Sequence, residues 1–233
     1  MFGMESYVES VETLVTSKQN NVDPQYVGVR GMGGVGKTLL FQRVYGSSKV
    51  HDHFRGAKSI WCTVGQTLDI MALYRSFSAE LGLEPEKTAI AEDYKHKLFN
   101  YFKQKRVFLV LNDVWKVEAF DSLDLARGKG SVTLLSTRNQ SLLDRIPRHI
   151  MQQYMTLLSK EVSRKLFCVH AFRQSSNVPF ELEALAQCMA EECQGLPLAL
   201  KVVGGAMCEK VNLKYEWEPL LKTLRKSCMQ DMN

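Results

Sequence analysis

No run of apolar residues in this chain approaches the ~20 that a membrane-spanning helix needs; stretches such as Val107 to Leu111 are far shorter. The first dozen residues carry Glu5, Glu9 and Glu12 where a secretory leader carries positive charge and then an apolar core, so no leader is expected. No Cys-x-x-Cys pair occurs among the six cysteines (Cys62, Cys168, Cys188, Cys193, Cys208, Cys228), and none has the spacing of a metal site. They are expected as reduced, mainly buried thiols. Dense basic runs are also missing. Thirty basic residues against 25 acidic give a net charge of +5 and a pI near 8.8, without the clustering that marks a nucleic-acid surface. Lys103-Gln104-Lys105-Arg106 reads as a solvated helix end, and His51-Asp52-His53 as a polar loop rather than a ligand pair. Fifteen glycines and six prolines follow no repeat, which excludes collagen-like and low-complexity classes.

What is there is an ordinary globular composition, 45% hydrophobic and 24% charged over 233 residues, enough for one large domain or two modest ones. The expectation is a soluble, cytoplasmic protein with no membrane span and no specific nucleic-acid partner.

Through residues 1–155, short β-rich runs alternate with helical patterns. Strands are expected at 26–30, 57–64, 107–111, 131–136 and, more weakly, 150–157, with helices at about 38–45, 69–81 and 92–103. The run Val107-Phe-Leu-Val-Leu111 is continuously apolar, as a central strand covered on both faces must be. Alternation of this kind predicts an α/β fold, a parallel sheet with helices on both faces. Over residues 156–233 the pattern is helical only, with segments near 161–172, 181–193, 198–207 and 215–226, which predicts a small all-α bundle. The chain ends without a distinct closing element and reads as a piece of something longer.

Gly31-Met-Gly-Gly-Val-Gly-Lys37-Thr38 fits G-x-x-x-x-G-K-[ST] at every position, between a predicted strand and a predicted helix. Gly33, Gly34 and Gly36 let the backbone turn N–H groups inward around an anion. The following helix presents its positive end to the phosphates. Lys37 supplies a point charge for the β/γ-phosphates and the Thr38 hydroxyl a ligand for Mg²⁺. A second strand then carries Val110-Leu-Asn112-Asp113-Val-Trp115, with its polar pair at the carboxyl end, where ligands bind in open α/β sheets.

Together with Ser136-Thr137-Arg138 and Gly195-Leu-Pro-Leu-Ala-Leu200, these motifs resemble the NB-ARC domain, the nucleotide switch of plant intracellular immune receptors and apoptotic protease-activating factors within the STAND class of P-loop NTPases. Phe2-Gly3-Met-Glu5 is similar to the short motif that opens that domain, although the family usually has Arg where this chain has Met4. The resemblance implies a P-loop NTPase domain over 1–155 and a first ARC-type helical subdomain over 156–233. It implies that Phe2, Gly31, Gly33, Gly34, Val35, Gly36, Lys37, Thr38, Leu39 and Pro197 bind ADP or ATP, and that Thr38 and residue 112 face Mg²⁺. It implies that Asp113 orients the attacking water and that Arg138 senses the γ-phosphate. Arg138 also reads as an ordinary surface arginine. Gly195 and Pro197 also read as a helix C-cap and a first-turn proline. Trp115 resembles the plant receptors with coiled-coil N-termini, and also reads as core packing.

One departure carries weight. Where the family has a metal-facing Asp, this chain has Asn112, whose amide offers one neutral oxygen and weakens the Mg²⁺ site. Asp113 is a poor substitute unless the strand end bends, because successive strand residues point to opposite faces. The chain is therefore expected to be at most a slow ATPase. The leading function is an ADP/ATP-binding switch module of an immune receptor, whose partners are the receptor's other domains or a receptor oligomer. The alternatives are a nucleotide-binding scaffold deficient in hydrolysis, or another P-loop ATPase. A GTPase's Asn-Lys-x-Asp and a transporter's Leu-Ser-Gly-Gly-Gln are both missing.

Overall fold

The computed structural model describes residues 2–17, 24–67, 69–83, 89–146, 150–173, 178–210 and 214–230. It divides into two compact units, one of Ser6–Gly31 and Lys37–Met155, the other of Met1–Glu5, Met32–Gly36 and Thr156–Asn233. The first unit contains α1 (Glu5–Val15, shared at its first residue), β1 (Gln25–Arg30), α2 (Lys37–Tyr45), α3 (Ser48–His53), β2 (Lys58–Gly65), α4 (Ile70–Leu81), α5 (Ala91–Lys103), β3 (Val107–Val114), α6 (Val117–Leu123), β4 (Val132–Thr137), α7 (Gln140–Arg145) and β5 (Met151–Tyr154). The second contains α8 (Lys160–Ala171), α9 (Phe180–Glu192), α10 (Pro197–Met207), a 3₁₀ turn at Cys208–Lys210 and α11 (Lys214–Gln230).

The five strands form one sheet in the order β2-β3-β4-β1-β5, with every pairing parallel. β4 therefore lies between the strand that precedes the glycine loop and the strand that carries Asn112. All six residues of β4 are buried, as are seven of the eight in β3, so both are central strands with helices on both faces. The main core gathers Ile60, Leu98, Phe102, Leu109, Leu111 and Leu123. Helix ends follow local chemistry. Asp69 accepts the Ala72 N–H at 2.9 Å to start α4, which stops at Gly82 with φ +65°.

Several elements differ from the sequence expectation. His51 and His53 lie on α3, not in a loop, with their rings beside Tyr45 and Phe54. α1, α6 and α7 are additional helices. β5 is only four residues long, although Met155 N–H continues its alignment to the Arg30 carbonyl at 2.8 Å. Arg106 does not end a solvated run; its guanidinium lies over Phe54 at 4.8 Å and donates to the Gly130 carbonyl at 3.1 Å. Of five described cysteines, all free thiols, Cys62 and Cys193 are buried and three are half-buried. Cys228 lies outside the described side chains. Among the described residues no helix is long and apolar enough to cross a membrane, and no three His, Cys, Asp or Glu side chains cluster as a metal site.

The helical unit packs around Trp217, fully buried and stacked on Phe172 at 5.8 Å, with its indole N–H donating to the Lys210 carbonyl at 3.0 Å. Gly204 lets α10 close on α8, since a Cβ there would lie 2.9 Å from the Phe167 carbonyl oxygen.

Candidate nucleotide site

The carboxyl ends of β1, β4 and β3 lie side by side, and the charged and polar residues sit there. Lys37, the first residue of α2, is 7% exposed and turns its ammonium back to the Gly31 carbonyl at 2.7 Å. Burial pulls the Lys37 pKa below its ordinary value, the positive charge of Arg138 adds to the effect, and the Asp113 carboxylate opposes it. A buried ammonium that also feels a second positive charge is an arrangement that an anion relieves.

The glycines of the loop do different jobs. Gly34 (φ +80°) and Gly36 (φ +108°) occupy backbone regions that disfavour other residues, whereas Gly33 does not. Gly34 is also pressed from outside. Its carbonyl accepts the Leu198 N–H at 3.2 Å, and a Cβ on it would lie 2.8 Å from the Leu198 Cβ. Val35 is buried, its N–H directed to the Met32 carbonyl at 3.4 Å.

The end of β3 does bend, so the simple alternation expected for Asn112 and Asp113 fails. The pairing with β4 shifts by one residue between Leu111, opposite Leu135, and Val114, opposite Thr137. Asp113 takes up the extra residue in a left-handed conformation (φ +61°). Asn112 stays buried and accepts at Oδ1 from two hydroxyls, Thr38 at 3.2 Å and Ser136 at 3.1 Å. The Asp113 N–H donates to that same Ser136 oxygen at 2.8 Å. The two lone pairs of the Asn112 carbonyl are thus both engaged. Ser136 received no role of its own from the sequence, because Thr133 and Thr137 in the same strand carry hydroxyls too and nothing in the residue order singles it out.

Arg138, directly after β4, is exposed and lays its guanidinium 4.5 Å above the Trp115 ring. Leu39 is exposed on α2. Two further candidates belong to the helical unit: Phe2, half-buried, and Pro197, at the first turn of α10. Gly195 before it has φ +77° and no space for a Cβ, which would meet the Leu158 carbonyl oxygen at 2.5 Å. The first-turn geometry of Pro197 is real, whereas the expected C-cap role of Gly195 is not: α9 is capped by Cys193, the left-handed Gln194 (φ +49°) follows, and Gly195 lies beyond it.

The residues fit a polyphosphate: a buried ammonium, an exposed guanidinium and a glycine loop ahead of a helix. For a magnesium ion the protein offers the neutral oxygens of Thr38 and Asn112, with the Asp113 carboxylate at the next position. That set suits a metal delivered on phosphate oxygens rather than one caged by protein.

Residues 5–177 match the model of the NB-ARC domain family. Among curated proteins, the chain is 30% identical over 232 residues to Disease resistance RPP8-like protein 3 of Arabidopsis thaliana, covering 96% of this chain and 25% of the relative. It is 32% identical over 215 residues to Probable disease resistance RPP8-like protein 2 of the same plant, covering 90% and 23%. The chain spans about a quarter of the length of these relatives. Among solved structures, it is similar in fold to Cdc6p from Pyrobaculum aerophilum (TM-score 0.60, 12% identity, 91% of this chain and 63% of that one). The Aeropyrum pernix ORC1 protein solved in complex with DNA is alike to the same degree (TM-score 0.60, 13% identity, 99% and 66%).

Proposed function

The chain belongs to the NB-ARC domain family, and from that premise we propose that it is an adenine-nucleotide switch module of a plant disease-resistance receptor. Its ligand is ADP or ATP, and its output is a change of conformation passed to other domains of the receptor or to a receptor oligomer. The observation that carries this reading is the pairing of buried Lys37 with exposed Arg138 at the carboxyl end of the sheet, after a loop whose Gly34 and Gly36 adopt positive φ.

Lys37 holds the β-phosphate, and moving its ammonium from the Gly31 carbonyl to phosphate exchanges a neutral acceptor for an anionic one. Arg138 meets the γ-phosphate, so it distinguishes ATP from ADP. Thr38 and Asn112 would hold Mg²⁺, which would supply positive charge to neutralise the phosphates. Asp113 orients the attacking water, its placement fixed by the N–H to Ser136. Phe2, Leu39 and Pro197 are assigned to nucleotide binding by the family resemblance alone, and the DNA-bound neighbour lends nothing to a nucleic-acid role here.

A second reading is favoured by one observation. Asn112 brings no charge, and both its acceptor positions are taken by hydroxyls, which suits a module that binds nucleotide but hydrolyses it poorly. Nucleotide analysis of the purified protein tests the proposal. Co-purified ADP is the expected result; protein free of nucleotide that also takes up none on incubation contradicts it.

A further inference from the structure

The bulge in β3 decides which residue stands opposite Arg138. At the register of Leu111 with Leu135, the position beside Arg138 falls to Val114. The extra residue taken up at Asp113 moves Val114 opposite Thr137, and the next position on each strand then sets Trp115 beside Arg138. The guanidinium lies over the indole face at 4.5 Å.

Two details separate this contact from ordinary packing. The Trp115 indole nitrogen is buried without a hydrogen-bond partner, so the ring is oriented with its polar edge unpaired and its face given to the cation. Arg138 makes no ion pair and no guanidinium hydrogen bond among the described residues. Stacking uses the face of a guanidinium and leaves all five N–H donors on its edge available.

We infer that Trp115 is the positioning residue for Arg138, holding the guanidinium face-on so that its N–H edge meets a terminal phosphate, and that it thereby sets the preference between ATP and ADP. This rests on the nucleotide-switch reading above. A leucine at 115 keeps an apolar side chain but offers no π face, and the freed arginine must then be ordered at each binding event. The expected loss is about two- to five-fold in affinity for the triphosphate, the range of an exposed cation–π contact, with none for ADP.

The test is calorimetric titration of ADP and of a β,γ-imido ATP analogue into the wild type, Trp115→Leu, Arg138→Ala and the double variant. Trp115→Leu is expected to lose analogue affinity only, and to have no further effect once Arg138 is alanine. An equal loss for both nucleotides, or a loss that persists in the Arg138→Ala background, overturns the inference. Wild-type protein that binds neither nucleotide overturns the switch reading instead. Should Trp115→Leu fail to fold, the emission of Trp115, taken as wild type minus Trp115→Phe, serves the same end. It is expected to change with the analogue and not with ADP; the same change with both contradicts the inference.

Discussion

Asn112 shows how far one amide can alter a site while leaving its geometry in place. Its Oδ1 accepts from Thr38 and Ser136, and a carboxylate of the same shape accepts both hydrogen bonds with a full charge behind them. Asn112→Asp is therefore expected to keep the fold, raise steady-state phosphate release from ATP and steepen the Mg²⁺ dependence of ATP affinity, with little change for ADP. Equal turnover in the two proteins means that Asn112 does not limit hydrolysis. Much of this site is legible in the sequence, because the phosphate loop is contiguous and its residue types follow from local backbone and charge requirements. Ser136 and the stacking of Arg138 on Trp115 are not legible there. They depend on which residues of β3 and β4 stand opposite one another, and residue order within either strand does not contain that.

The element that organises the site is the last turn of β3. A one-residue slip places Asp113 at φ +61°, where Cβ crowds the backbone and only glycine, asparagine and aspartate are well tolerated. Replacing Asp113 by alanine thus changes two things at once, the carboxylate and the fit to a left-handed turn. Asp113→Ala is expected to lower the free energy of unfolding by about 1–2 kcal/mol, and Asp113→Asn by much less. Urea denaturation distinguishes them, and equal losses mean that the turn carries no such strain. Asparagine is consequently the right control for any role of the carboxylate in hydrolysis. The long strands and helices are readable because apolar residues recur over many positions. α3, α6 and α7 span six or seven residues, fewer than two turns, so no period can establish itself. The bulge leaves no mark in the sequence at all, since Asn-Asp after an apolar run is equally compatible with a straight strand.

At the scale of the molecule, burial of ionisable groups makes the fold sensitive to alkali. Burial pushes the Cys62 thiol up to about 11 and the Tyr74 hydroxyl up to about 12, and it also raises Tyr26, aided by the Asp124 carboxylate that accepts its hydroxyl at 3.0 Å. Each folded value lies above the unfolded one, so the unfolded chain releases these protons first. The stability they contribute is complete below about pH 9 and is lost as pH rises toward 11–12. Denaturation midpoints measured from pH 7 to 11 should be level at first and then fall. Cys62→Ala should remove the earliest part of that fall, and an unchanged profile means the thiol is not the group responsible. The α/β unit and the helical unit each hold a core of their own, around Leu109 and Trp217 respectively. Function rests on whether the loop between β1 and α2 takes an adenine nucleotide. Calorimetric titration of ADP into wild-type protein and Lys37→Ala answers that directly. Saturable binding to the wild type, weakened in the variant by roughly 1–3 kcal/mol as a charge-assisted contact is lost, is the predicted result. Equal affinity in the two proteins, or no binding to the wild type, contradicts it.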